Sequence, residues 1–260
     1  SKCHVGHGSF TFIHVENAYI IHESHALCQE GGVKMIYQKG SKSMQKVLMM
    51  LGAVLAWAMP MLAATHDGVQ LWENGPLWAK TNVGANSPTE TGYYFWWGDT
   101  LGYKRQNNQW VASDGSKTGY SFSASTSGKT LDQLQTMGAT GADGILLPAF
   151  DGAAKQWGDD WRMPKVSEYR NLMDLCTWNW STNNSIVGYT VTGKGLYSGN
   201  SIFIPVCGYG STTNITSNLT TIYLWSASSD GKNSYRPSFN ASSRGGAFNS
   251  GRSNGYPIRP

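Results

Sequence analysis

The sequence predicts an α+β fold of short mixed or antiparallel strands, one or two packed helices and long loops. Two observations predict it. Gly, Ser, Asn and Thr interrupt the chain at short intervals, and between them lie brief runs rich in β-branched or aromatic residues, the pattern of short strands bounded by turns. Against these many strands stands one convincing helix, Lys165–Leu175, in which Val166, Tyr169, Leu172, Met173 and Cys176 recur with helical spacing just after Pro164. Few helices among many strands give the α+β class.

The elements begin only after an N-terminal region of different character. From Met44 the chain reads MQKVLMMLGAVLAWAMPMLAAT, with Lys46 near its start, an uncharged run from Val47 to Leu62, and Ala63 and Ala64 at its end. Basic start, apolar centre and small-residue end form a secretory signal, so residues 44–64 are expected to be a signal peptide cleaved near Ala64. A membrane-spanning helix needs ~20 apolar residues, and this run is shorter and holds Pro60. Residues 1–43 show neither helix nor strand period and are expected to be upstream or leader sequence, with Met35 and Met44 as alternative starts. The working region is then 65–260, a single domain, secreted or held at a bacterial surface or periplasm.

In that region the strands are expected at Leu77–Val83, Tyr93–Trp97, Thr177–Trp180, Ile186–Thr192, Ser201–Val206, Tyr223–Ala227, Tyr235–Ala241 and Tyr256–Arg259. Ile202 and Ile204 alternate with Phe203, so both faces of that strand are apolar, as in a central strand. Weaker helices are expected around Leu131–Met137 and Phe150–Trp157. Residues 104–128 and 208–221 are polar, rich in turn formers and without period, and read as surface loops. Trp78, Trp96, Trp161, Trp178 and Trp225 are assigned to the core. Arg162, beside Asp159 and Asp160, is expected to form a buried or half-buried ion pair.

Composition narrows the function. Residues 65–260 carry 15 Lys/Arg and 13 Asp/Glu with no run of like charge, so nothing points to nucleic acid or to a polybasic membrane patch. Five of the six histidines precede residue 65, which leaves His66 alone and argues against a His-based metal site or a Ser–His–Asp triad. Ten Trp and eleven Tyr remain, supplying both core area and flat contact surface.

Four ordered blocks carry a resemblance. The first is Leu77-Trp78-Ala79-Lys80-Thr81-Asn82-Val83-Gly84-Ala85 with Gly92-Tyr93-Tyr94-Phe95-Trp96-Trp97-Gly98-Asp99. The second is Trp157-Gly158-Asp159-Asp160-Trp161-Arg162-Met163-Pro164. The third is Cys176-Thr177-Trp178-Asn179-Trp180 with Gly199-Asn200-Ser201-Ile202-Phe203-Ile204-Pro205. The fourth is Leu224-Trp225-Ser226-Ala227 with the ending Arg252-Ser253-Asn254-Gly255-Tyr256-Pro257-Ile258-Arg259-Pro260. Together they resemble the exported bacterial domain called the Fibrobacter succinogenes major paralogous domain, which is related to C-type lectin-like and formylglycine-generating-enzyme-like folds. The resemblance runs from about Leu71 to the last residue and implies a C-type lectin-like fold. It also implies that Arg252 and Arg259 are structural, tying the C-terminal stretch to the sheet.

Proteins of this fold include the variable proteins of diversity-generating retroelements, whose C-terminal stretch is diversified and binds ligand. The matching stretch here is Ser228–Tyr256, in which 22 of 29 positions are Ser, Gly, Asn, Arg or Tyr. That is a binder's palette, with Tyr and Arg for contact area and the small polar residues for adaptable hydrogen bonds. An ordinary Gly/Ser-rich loop with an edge strand would have the same composition. With Tyr235 and Phe239 inward, alternation places Arg236, Ser238 and Asn240 outward. Ser242–Ser250 is expected to be a loop offering Arg244, Phe248 and Asn249, with Ser253, Asn254 and Tyr256 on the final turn and strand. These nine are the candidate ligand-binding residues.

Cys176 and Cys207 are an even pair in an oxidising compartment, so a disulfide between them stands as an alternative to two free thiols. The resembling family has a cysteine at the first position and a small residue at the second. No catalytic residue, cofactor or resident metal is assigned. Calcium is known in some C-type lectins, yet no EF-hand-like acidic ladder is present here. The expectation is a non-catalytic recognition protein for an extracellular protein, peptide or glycan. A structural surface or adhesin subunit is the alternative, ahead of a formylglycine-generating-like enzyme.

Overall fold

The computed structural model describes Phe12–Val15, Ala18–Ile21 and residues 66–260, except 120–122, 159, 212–213 and 217–219. The chain divides into two units, 1–63 and 64–260. In the first, strands β1 (Phe12–Val15) and β2 (Ala18–Ile21) pair as an antiparallel hairpin, in a stretch where no strand period was expected. The signal segment at 44–64 lies outside the described residues. No helix among those described is long and apolar enough to cross a membrane.

The described residues of the second unit form small sheets with three short α-helices. In chain order its strands are β3 (Gly68–Gln70), β4 (Leu77–Ala79), β5 (Phe95–Trp96), β6 (Tyr103–Gln106), β7 (Gln109–Ala112), β8 (Thr118–Gly119), β9 (Thr177–Asn183) and β10 (Ile186–Thr192). They continue with β11 (Ser201–Pro205), β12 (Tyr209–Gly210), β13 (Ile215–Thr216), β14 (Thr221–Tyr223), β15 (Ser234–Asn240), β16 (Ser243–Ser250) and β17 (Gly255–Tyr256). They associate as β3-β4, β6-β7-β8, β11-β10-β9, β13-β12-β17-β5 and β14-β15-β16. All these ladders are antiparallel, and an isolated Gly208–Ile222 bridge is parallel.

The helices start where side chains satisfy their free N–H groups. At α1 (Leu131–Thr136), Thr130 and Gln133 form a reciprocal capping box. At α2 (Gly152–Trp157), buried Asp151 accepts from the Ala153 and Ala154 amides, and its second oxygen accepts from Met163 N at 2.8 Å. At α3 (Val166–Leu175), the Glu168 carboxylate reaches back to Lys165 N at 2.7 Å. Pro164 stands outside this helix, which begins at Val166.

Several expectations are corrected. The stretch at 104–128 is not all loop: it holds β6, β7 and β8, with the β6–β7 turn made by Asn107 and Asn108 at φ 48° and 62°. Positive φ at both central positions is the twist-matched hairpin turn, and Asn tolerates it. Asn184 and Ser185, at φ 46° and 67°, close β9 onto β10 the same way. The 208–221 stretch contains β12, β13 and the start of β14. Residues expected as strands at 224–227 and 257–259 run as irregular backbone instead. β11 is buried over Ile202–Pro205, as expected of a central strand, yet it ends its ladder. Its Phe203 carbonyl is taken by Arg259 NH2 at 2.9 Å. The ion pair expected of Arg162 is formed with Glu168, through two bonds of 2.8 and 2.6 Å.

Three aromatic-rich clusters form the core. One joins β9–β11 and α3 around Trp78, Tyr169, Tyr189 and Phe239; a second surrounds Phe95, Trp97, Trp225 and Tyr256; a third holds Tyr94, Trp96, Tyr103 and Trp110. Trp161 and Trp178 are half-buried, unlike fully buried Trp78, Trp96 and Trp225. Two buried indoles are fixed by backbone acceptors: Trp97 Nε1 donates to Ser226 O at 2.9 Å and Trp225 Nε1 to Phe95 O at 2.7 Å.

Candidate functional site

The C-terminal stretch folds as a ribbon, β15–β16, fixed at both ends. At the turn, Asn240 Oδ1 accepts from the Ser242 and Ser243 amides at 3.0 and 2.9 Å, a side chain standing in for a backbone acceptor. At the open end sits Arg252, 2 % exposed. Its Nε donates to Ser234 Oγ at 2.8 Å, NH1 donates to Thr126 O and Lys129 O, and NH2 donates to Ser229 Oγ, Gly231 O and Asn233 O. Arg259 is likewise fully buried, bonded to Asn82 Oδ1, Ala79 O and Phe203 O. Burial lowers both guanidinium pKa values to about 10, which leaves them charged at neutral pH.

Ser242–Ser250 is strand over Ser243–Ser250, not loop. Its alternation is broken in sequence because the register shifts between Arg236 and Ser238, where Pro237 has no N–H to give the ladder. Arg236 faces Phe248 across the ribbon, whereas Ser238 faces Gly245, so β16 carries an extra residue at the bulge.

That register sorts the candidate residues. Residues directly opposite share a face. Arg236, Ser238, Asn240 and the Phe248 position therefore lie on one face, joined by Tyr223, which pairs with Ser238. Arg244 and Asn249 pair with Phe239 and Tyr235, on the other face. Phe239 is fully buried there against Trp178 and Tyr189, as expected, while Tyr235 is only half-buried. Arg244, Asn249 and Ser253 are exposed; Asn249 Nδ2 donates to Asp230 Oδ2 at 2.5 Å, and the Ser253 carbonyl holds Trp96 Nε1. The Phe248 side chain lies outside the described residues.

Two candidates are corrected. Tyr256 is 2 % exposed because β17 lies between β12 and β5; its ring meets Trp225 at 4.4 Å and its hydroxyl meets Ser250 Oγ at 2.9 Å. Asn254 is half-buried and donates to that hydroxyl at 3.2 Å. Cys176 and Cys207 are buried free thiols, and Cys207 Sγ contacts the Tyr223 backbone at both N and O.

At the centre of the first face, Tyr223 and Tyr209 were missed in sequence beside the candidates Arg236 and Ser238. Arg236 lies 4.5 Å over the ring of Tyr223 and 5.6 Å over that of Tyr256, and Tyr209 meets Tyr223 edge-on at 5.6 Å. Tyr209, Tyr223, Arg236 and Ser238 are all half-exposed. The available signal was the alternation of Ile222 inward and Tyr223 outward. A guanidinium laid on tyrosine is a preformed contact platform that loses little side-chain freedom on binding. No group of three or more His, Cys, Asp or Glu residues is arranged to hold a metal ion among the described residues. Compared with protein-family models, with curated proteins and with solved structures, the chain gives no match.

Proposed function

We propose that this is an exported, non-catalytic recognition protein of C-type lectin-like fold, binding an extracellular protein, peptide or glycan through the β14–β15–β16 face. The observation that carries the reading is Arg236 held over half-exposed Tyr223 on a ribbon whose ends are locked by Asn240 and Arg252. Tyr and Arg are the residue types that most often supply binding energy at interfaces, and they do so best on a rigid base. Retroelement diversification fits the same stretch, since it mixes sealed framework positions with open ones.

The test is to sequence the DNA flanking the gene for a reverse transcriptase and a near-copy of the codons for Ser228–Tyr256. Differences at the codons for Arg236, Ser238, Arg244, Asn249 and Ser253, with Phe239, Arg252 and Tyr256 unchanged, support diversification. Differences spread evenly over framework and surface codons count against it, and absence of both elements leaves a fixed binding face.

A further inference from the structure

Away from the ribbon, a groove of about 450 Å³ is lined by His66, Leu77, Trp78, Asp160, Trp161, Arg162 and Glu168, among others. The volume is that of a small-molecule site. Trp161 is held in place as one wall: its ring meets Trp157 edge-on at 5.5 Å, and Trp157 is stacked on His66 at 3.7 Å. It also lies so close to β3 that a Cβ on Gly68 would stand 2.8 Å from the indole. Leu77 is 60 % exposed beside it. Trp78 is almost wholly buried, and its indole N–H has no acceptor among the described residues.

The polar side of the groove is a joined set of donors and acceptors. Arg162 and Glu168 form a pair joined by two hydrogen bonds, half-exposed on the arginine, with Asp160 exposed beside it. Burial lowers the pKa of His66, so its imidazole is neutral at pH 7. An anion would face the carboxylates of Asp160 and Glu168, the only guanidinium there being already paired. A wholly apolar molecule would strip water from an ion pair and return no hydrogen bond. A molecule with a flat apolar face and hydroxyls that both donate and accept matches both sides of the groove, and a cation drawn to Asp160 is the competing occupant that the titration separates.

We propose that this groove is a second binding site, for a neutral saccharide that lays one ring face on Trp161 and sets adjacent hydroxyls against Arg162, Glu168 and Asp160. The site shares no residue with the ribbon and stands or falls apart from the function proposed above.

The test titrates the exported protein with neutral mono- and disaccharides while recording its indole N–H resonances. Resonances are assigned with Trp161→Ala, and Asp160→Ala serves as a second variant because it removes an exposed side chain outside the core. The expected result is saturable shifts of the Trp78 and Trp161 signals, with affinity at least tenfold weaker in both variants. Absence of saturable shifts for every saccharide, binding unchanged in Asp160→Ala, or shifts produced by tetramethylammonium and by no saccharide would each overturn the proposal.

Discussion

The Arg252 guanidinium lies 4.6 Å over the Trp97 ring, and its Nε donates to Ser234 Oγ, so one buried cation joins the first strand of the ribbon to the aromatic core. Among the described residues no carboxylate contacts it directly; its charge is spread over carbonyl and hydroxyl acceptors from two segments, 126–129 and 229–234. Hydrogen bonds to a charged group contribute about 1.5–3 kcal/mol each, and a buried group deprived of partners costs its full desolvation.

Arg252→Lys, which keeps the charge and loses the fork, is therefore expected to lower unfolding free energy by about 3 kcal/mol or more. Urea denaturation followed by tryptophan fluorescence measures it. A loss below about 1 kcal/mol would show that the network is not what fixes the ribbon.

Framework and surface on the same ribbon should separate sharply. Phe239→Ala removes a fully buried ring and is expected to cost about 3–5 kcal/mol. Arg244→Ala and Ser253→Ala alter exposed side chains and are expected to stay within about 0.5 kcal/mol. Equal losses at the three positions, in the same denaturation experiment, would contradict the division.

Both thiols are sealed, and burial pushes the Cys176 pKa up to about 11 and that of Cys207 up to about 12. A thiol reagent at pH 8 is expected to modify neither in the native protein and both after denaturation, since the thiolate is the reacting form. Rapid labelling of either in the folded state would place it at the surface; an oxidised pair would leave neither of these two to label after denaturation.

The same shifts set a direction with pH. In the unfolded chain the thiols ionise near 9.0, while in the native state they remain protonated beyond that. The unfolded state then holds fewer protons, so stability falls as pH rises from 9 toward 11. For Cys207 alone the slope approaches at most about 1.4 kcal/mol per pH unit. Cys207→Ala should flatten the decline in melting temperature between pH 9 and 10, and an unchanged slope would remove the thiol as its cause.

Local patterns made much of this legible. The period over Lys165–Leu175 marks α3, and the turn residues Asn184 and Ser185 separate β9 from β10. The hairpin at Asn107–Asn108 was readable by the same rule but is hidden by the polar residues Lys104, Arg105 and Gln106, because a half-exposed strand need not look apolar. β16 was not readable: Gly245 and Gly246 suggest a loop, and the bulge opposite Pro237 shifts the register that alternation depends on.

By itself the sequence determined the class of the domain, the position of its main helix, the aromatic load of its core and the polar, Tyr- and Arg-bearing character of its C-terminal stretch. Those properties follow from near-neighbour chemistry, which the order of residues contains. Tertiary structure alone decided that Tyr256 is sealed and Tyr223 open, that Arg162 pairs with Glu168, and that Cys176 and Cys207 stay apart as free thiols. Each depends on which distant strand or helix lies against the side chain, and burial is a property of that neighbour as much as of the residue.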